Sequence, residues 1–126
     1  NIDKMTSGYP LNDEDRRPWL TNIAAWMAER ADNGAVVACS ALKHIYRDQL
    51  RKTCPDLVFV HLAGDRKIVA KRVEARTGHF MPTSLIDSQY ATLEPLTTDE
   101  VGITLNFDDT REELTTMAAT WLADVN

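Results

Sequence analysis

Two cysteines in 126 residues are too few for the disulfide framework of a small secreted scaffold. Nor do Cys39 and Cys54 have the spacing of metal ligands, so the reduced cytoplasm is the expected home. Basic residues are outnumbered, 14 Lys and Arg against 19 Asp and Glu, for a net charge of −5. That balance argues against a general nucleic-acid binder, whose affinity for phosphate backbones comes from excess Lys and Arg. No apolar run approaches the roughly 20 residues of a membrane-spanning helix. Internal repeats and low-complexity stretches are absent too. The remaining class is one ordinary globular domain, residues 1–126, with chain enough for a single core.

What is present is cationic and regularly spaced. Lys43, Arg47 and Arg51 stand four residues apart, directly after the apolar run Ala35–Ala41. On a helix that spacing stacks three cations on one face, while Leu42, Ile45, Tyr46 and Leu50 form the core-facing side. Arg72 and Arg76 repeat the spacing in the next unit and lead into Thr77-Gly-His-Phe80. Open α/β sheets bind ligands where strands end and helices begin, so the two rows point to a site for a phosphorylated ligand. Two solvated helix faces are the competing reading.

The periodicity predicts an alternation of helices and strands. A helix opens at Asp13-Glu-Asp15, with Pro18 in its first turn, and runs to about Ala31 before Asp32-Asn-Gly34 stops it. Ala35–Ala41 reads as a strand buried on both faces, and Lys43–Thr53 as a helix. Leu57–Ala63 reads as a second buried strand, followed by a helix over about Arg66–Arg76 with Asp65 as its N-cap. Ser84–Leu93 suits a short helix, and Gly102–Phe107 a third strand. Thr110-Arg-Glu-Glu113 is a capping box opening an amphipathic helix with Leu114, Met117, Ala118, Trp121 and Leu122 on one face. The order βαβαβα implies a parallel sheet with helices on both faces. Two strands that read as central need neighbours on each side. The chain also opens on Asn1-Ile-Asp-Lys-Met5 instead of an initiator Met, so further strands are expected ahead of Asn1.

Several segments carry a resemblance. Asn1-Ile-Asp-Lys-Met5, Gly8-Tyr-Pro-Leu-Asn-Asp-Glu-Asp-Arg16 and Pro18-Trp-Leu20 resemble the gluconate kinase family. So do Cys39-Ser-Ala-Leu-Lys43, Tyr46-Arg-Asp48 and Gly78-His-Phe80. The resemblance covers residues 1 to about 95 in the family's order. It implies a three-layer α/β/α parallel sheet of the P-loop kinase type, lacking here the N-terminal strands. It also implies ATP-dependent phosphorylation of D-gluconate to 6-phospho-D-gluconate in the full-length protein. None of Gly8, Gly34, Gly64, Gly78 and Gly102 is followed by Lys-Ser or Lys-Thr. The loop that would cradle nucleotide phosphates is therefore not in this stretch, and the 126 residues alone are expected to be inactive. Rival readings are a shikimate-kinase-like or other small-metabolite kinase, and a non-catalytic sugar-acid-binding remnant.

The resemblance also distributes roles. Residues 1–33 would form a substrate-side helical module and 77–93 a lid-like segment. Ser40, Lys43 and Arg47 would bind the sugar acid, with Lys43 also neutralising developing phosphoryl charge and Arg47 gripping the carboxylate bidentately. Arg72 and Arg76 would reach over the nucleotide phosphates as catalytic, lid-opening arginines. Arg16 is a candidate ligand contact. Arg51 reads as surface, His44 as solvent-facing, Tyr46 as a packed tyrosine bonded to backbone, and His79 as a packing residue. With no His, Cys or carboxylate cluster at metal-site spacing, the metal would be Mg²⁺ carried by ATP. The expected partners are gluconate and ATP, with a homodimer as an open option and neither nucleic acid nor membrane.

Overall fold

The computed structural model of the chain describes residues 11–75 and 84–125. Its first helix, α1 (Asp13–Ala28), begins at a capping box. The Asn12 side chain accepts from the Asp15 N–H at 2.8 Å, and the Asp15 carboxylate accepts from the Asn12 N–H at 2.9 Å. Two of the orphan donors of the first turn are thereby satisfied. Pro18 lies beyond the first turn, where it cannot donate to the Glu14 carbonyl. The helix stops three residues earlier than the periodicity implied, and Gly34, at φ +85°, donates back to the Arg30 carbonyl at 2.8 Å.

Helix α2 (His44–Thr53) packs on α1. Leu20 and Ala24 of α1 meet Leu42, Tyr46 and Leu50 in one buried cluster, flanked by Trp19, Ile23, Met27, Cys39, Leu57 and Phe59. Ile45, expected on this core side, is exposed; Arg47 takes a buried position instead. Burying Leu20, Tyr46 and Leu50 is worth roughly 1.5–3 kcal/mol per large side chain, so this pair of helices is held mainly by its own apolar seam.

Strands β1 (Phe59–Ala63) and β2 (Gly102–Asn106) pair in parallel, with Phe59 opposite Gly102 and Ala63 opposite Asn106. Their crossover carries α3 (Arg66–Ala75) and α4 (Ser84–Thr92). The α/β character and the parallel pairing are as the alternation predicts. Two details differ. Ala35–Ala41 forms no ladder among the described residues, and Val36 is 95 % exposed. An extended apolar segment becomes a strand only by pairing with another strand's free N–H and C=O groups. Among the described residues the sheet consists of β1 and β2 alone, with Ala35–Ala41 on neither of their edges. Likewise β1 is not covered on both faces: Val60 and Leu62 are exposed, while Phe59, His61 and Ala63 are half-buried.

Around the sheet, Asp65 caps α3 as expected, accepting from the Lys67 N–H at 2.7 Å. The final helix, α5 (Arg111–Val125), opens on the Thr110–Glu113 capping box, with both reciprocal bonds formed. Leu114, Met117, Ala118, Trp121 and Leu122 are its half-covered residues. Gly64 ends β1 directly against the Phe107 ring, where a Cβ would collide with the aromatic carbons; the close approach requires glycine at that position.

Candidate substrate pocket

The capping box that starts α1 fixes Asp13 as its first residue, and Lys43 is the N-cap of α2. The two helix starts thus face one another. Lys43 Nζ donates to Asp13 Oδ1 at 3.2 Å, and the Tyr46 hydroxyl donates a short hydrogen bond to the same oxygen. Tyr46 is therefore bonded to a carboxylate and not, as expected, to backbone. These contacts stabilise each partner's protonation state. Hydrogen bonds from Tyr46 and then Lys43 hold the Asp13 carboxyl below the usual carboxylate range. The bond to Asp13 raises Lys43, and burial, with the bond to Asp13, raises Tyr46. The trio is anion, cation and neutral phenol at neutral pH.

Behind the Tyr46 ring lies Arg16, its guanidinium carbon 5.2 Å from the ring centroid. Arg16 is 5 % exposed, and its Nε and Nη1 are buried without an acceptor among the described residues. Buried N–H donors without an acceptor are costly, so these two are suited to an anion. In front of Tyr46 is an open pocket of about 450 Å³, lined by Leu11, Asn12, Asp13, Glu14, Lys43, Tyr46 and Thr92. That volume is within the usual range for small-molecule sites.

One turn further along α2, the chemistry is closed. Arg47 Nε and Nη2 reach the two oxygens of Glu100 at 2.6 and 2.9 Å, and the remaining N–H groups reach the carbonyls of Ala41, Leu42 and Pro95. The Arg47 side chain is 3 % exposed and that of Glu100 is fully buried. Burial alone would raise the Glu100 carboxyl, but bonds from Arg47, Arg51 and the Thr97 N–H outweigh it and lower it to about 2. Arg51 is no bare surface residue, since it bridges Glu100 at 2.8 Å and also pairs with Asp48. His44 is not solvent-committed either: its ring meets Asp48 at 2.9 Å and Asp99 at 3.2 Å, and its N–H is capped by Glu94 at 3.0 Å.

No protein-family model matches the chain. Its relatives are more telling. It is 45 % identical over 105 residues to the thermoresistant gluconokinase of Escherichia coli, covering 82 % of this chain and 60 % of that protein. A crystal structure of a gluconokinase from Sinorhizobium meliloti superposes with a TM-score of 0.86 at 42 % identity, covering 99 % of this chain and 71 % of that one. An unliganded sugar kinase from Janibacter sp. HTCC2649 superposes at 0.91 with 49 % identity, covering 98 % and 72 %. The chain belongs to the gluconokinase family. Its α/β fold is of the P-loop kinase type that these enzymes share. The chain spans about 60 % of the length of the curated relatives that it matches.

Set against what the gluconokinase resemblance implied, the site residues divide. Lys43 lines the pocket, with Arg16 just behind it. Ser40 lies exposed on the segment leading into α2, outside the pocket lining. Arg47 grips a carboxylate bidentately, as its fork suits it to do, but the carboxylate is Glu100 of the same chain. Its five N–H groups have acceptors within the protein, and it is not available to a sugar acid. Arg72 donates to the Phe107 carbonyl at 3.2 Å and stacks over that ring, 5.1 Å from its centroid. Arg76, His79, Phe80 and residues 77–83 of the lid-like segment lie outside the described residues. Sequence reasoning gave Asp13 no contact of its own, reading it as a helix-dipole acid within the substrate-side module, and it missed Glu100, whose burial carries no local signal.

Proposed function

We propose that the full-length protein is a gluconokinase, transferring the γ-phosphoryl group of ATP to D-gluconate to give 6-phospho-D-gluconate. The observation that carries this reading is the 42–45 % identity to gluconokinases along nearly the whole chain. The pocket at the start of α1 and α2 supports it. Lys43 is suited to hold the single carboxylate of an aldonic acid, charge-assisted bonds being the strong ones, and Arg16 adds positive charge from behind the Tyr46 ring. Asn12, Asp13 and Thr92 offer partners for a polyol chain. Arg72 and Arg76 are assigned to the nucleotide phosphates, where cations stabilise the charge spread over the transferring group. Positioning and electrostatics do most of the work in such a transfer. A shikimate-kinase-like activity is not favoured, since the relatives are gluconokinases.

ATP use implies magnesium. Among the described residues no group of three His, Cys, Asp or Glu is arranged to hold a metal ion. The ion would come with the nucleotide phosphates and not on a site formed by these residues. No helix among them is long and apolar enough to cross a membrane, and we place the enzyme in the cytoplasm with metabolites as its partners. The test is ADP release by the full-length protein with ATP and gluconate, run beside shikimate. Turnover of gluconate is expected; shikimate turnover without gluconate turnover would overturn the reading.

A further inference from the structure

The pocket lining carries an excess of negative charge before any ligand enters. Lys43 is its one cation against the carboxylates of Asp13 and Glu14, with Arg16 packed against the Tyr46 ring outside the lining. Asp13 is the anion already seated on the donors, with one oxygen receiving both Lys43 Nζ and the Tyr46 hydroxyl. Glu14 is exposed beside it. A ligand with one carboxylate can share Lys43, leaving the second Asp13 oxygen to accept from ligand hydroxyls. A ligand carrying a second carboxylate has no cation left to meet and approaches Asp13 with like charge.

We infer that Asp13 is a specificity-determining residue, which restricts this pocket to monoanionic polyols and rejects the corresponding diacids. The inference rests on the aldonate reading above and adds to it a residue and a direction of discrimination. Like-charge juxtaposition is the usual means by which a site suppresses a wrong partner. The Tyr46 and Lys43 bonds that keep Asp13 ionised also keep that repulsion in place throughout the neutral range.

The experiment is calorimetric binding of D-gluconate and of D-glucarate, the diacid of the same carbon chain, to the full-length protein and to Asp13→Asn. Asparagine keeps the shape and an acceptor for Tyr46 and Lys43, and removes only the charge. The preference for gluconate over glucarate is expected to fall about tenfold or more in Asp13→Asn, chiefly through tighter glucarate binding. Glu14→Gln, altering the exposed neighbour, is expected to change the preference less. An unchanged preference in folded Asp13→Asn, or an equal change in Glu14→Gln, overturns the inference. Should Asp13→Asn melt early, Asp13→Ser carries the same comparison. Failure of the parent protein to bind gluconate would break the aldonate reading itself and take this inference with it. Gluconate binding with an unaltered preference would break the inference alone.

Discussion

Helix α2 lends its cations to two places that the fold treats in opposite ways. At its start, Lys43 shares one carboxylate oxygen with Tyr46 at the mouth of an open pocket, and Arg16 beside them has buried N–H groups without an acceptor among the described residues. One turn later, Arg47 is sealed against Glu100 with acceptors for all five donors. The residue types and the four-residue spacing are alike. What separates them is satisfaction: a cation whose donors are all used inside the protein holds the fold, and one left short is the candidate for a ligand.

The sharpest way to break that contrast is to unseat the closed cluster. Glu100→Gln leaves the Arg47 charge buried without its counter-ion, and removing one partner of such a pair costs about 3 kcal/mol or more. Urea unfolding of the full-length protein should show this loss. Glu100 also dictates a pH dependence. Its carboxyl sits at about 2 in the fold against 4.5 ordinarily, so the unfolded chain takes up the proton first as pH falls. The stability that Glu100 contributes is complete above about 4.5 and disappears as pH drops towards 2. Glu100→Gln should flatten that part of the profile; an identical acid profile would mean that the pair does not hold the fold.

Arg16→Met tests the open side. An apolar side chain of similar length should leave stability unchanged or slightly raised, because no hydrogen bond of Nε or Nη1 is lost. The KM for gluconate should rise about 10–100-fold, the range of a lost charge-assisted bond. Loss of stability with KM unchanged would put Arg16 in the same class as Arg47 and erase the distinction between the two places.

The distinction was only half legible in the sequence. Several local signals were read correctly. The Thr110–Glu113 box, the Asp65 cap, the half-covered face of α5 and the parallel β1–β2 pairing all follow from residues close together in the chain or from periodicity. Ala35–Ala41 failed as a strand because strand formation needs a second segment, which apolar composition does not supply. Arg47 was legible as a bidentate fork but not as to its target. Glu100 lies 53 residues away, in a Thr-Thr-Asp-Glu stretch that reads as an exposed turn. Asp13 was legible as a helix start, and only the meeting of two helix N-termini makes it part of a pocket.

The smallest effect is expected at the rim of the closed cluster. Asp99 bonds His44 at 3.2 Å and Thr97, so by count of contacts it looks as well connected as Glu100. Its side chain is 69 % exposed, however, whereas that of Glu100 is fully buried. Water replaces the lost partner of an exposed charge, and salt screens what remains. Asp99→Asn should therefore melt within about 2 °C of the parent protein, with that difference shrinking further as salt is added. If Asp99→Asn destabilised the protein as much as Glu100→Gln, the acids around His44 would act as one cooperative network. Burial of the Arg47–Glu100 pair would then no longer explain why this end of α2 is structural and the other end is free to bind.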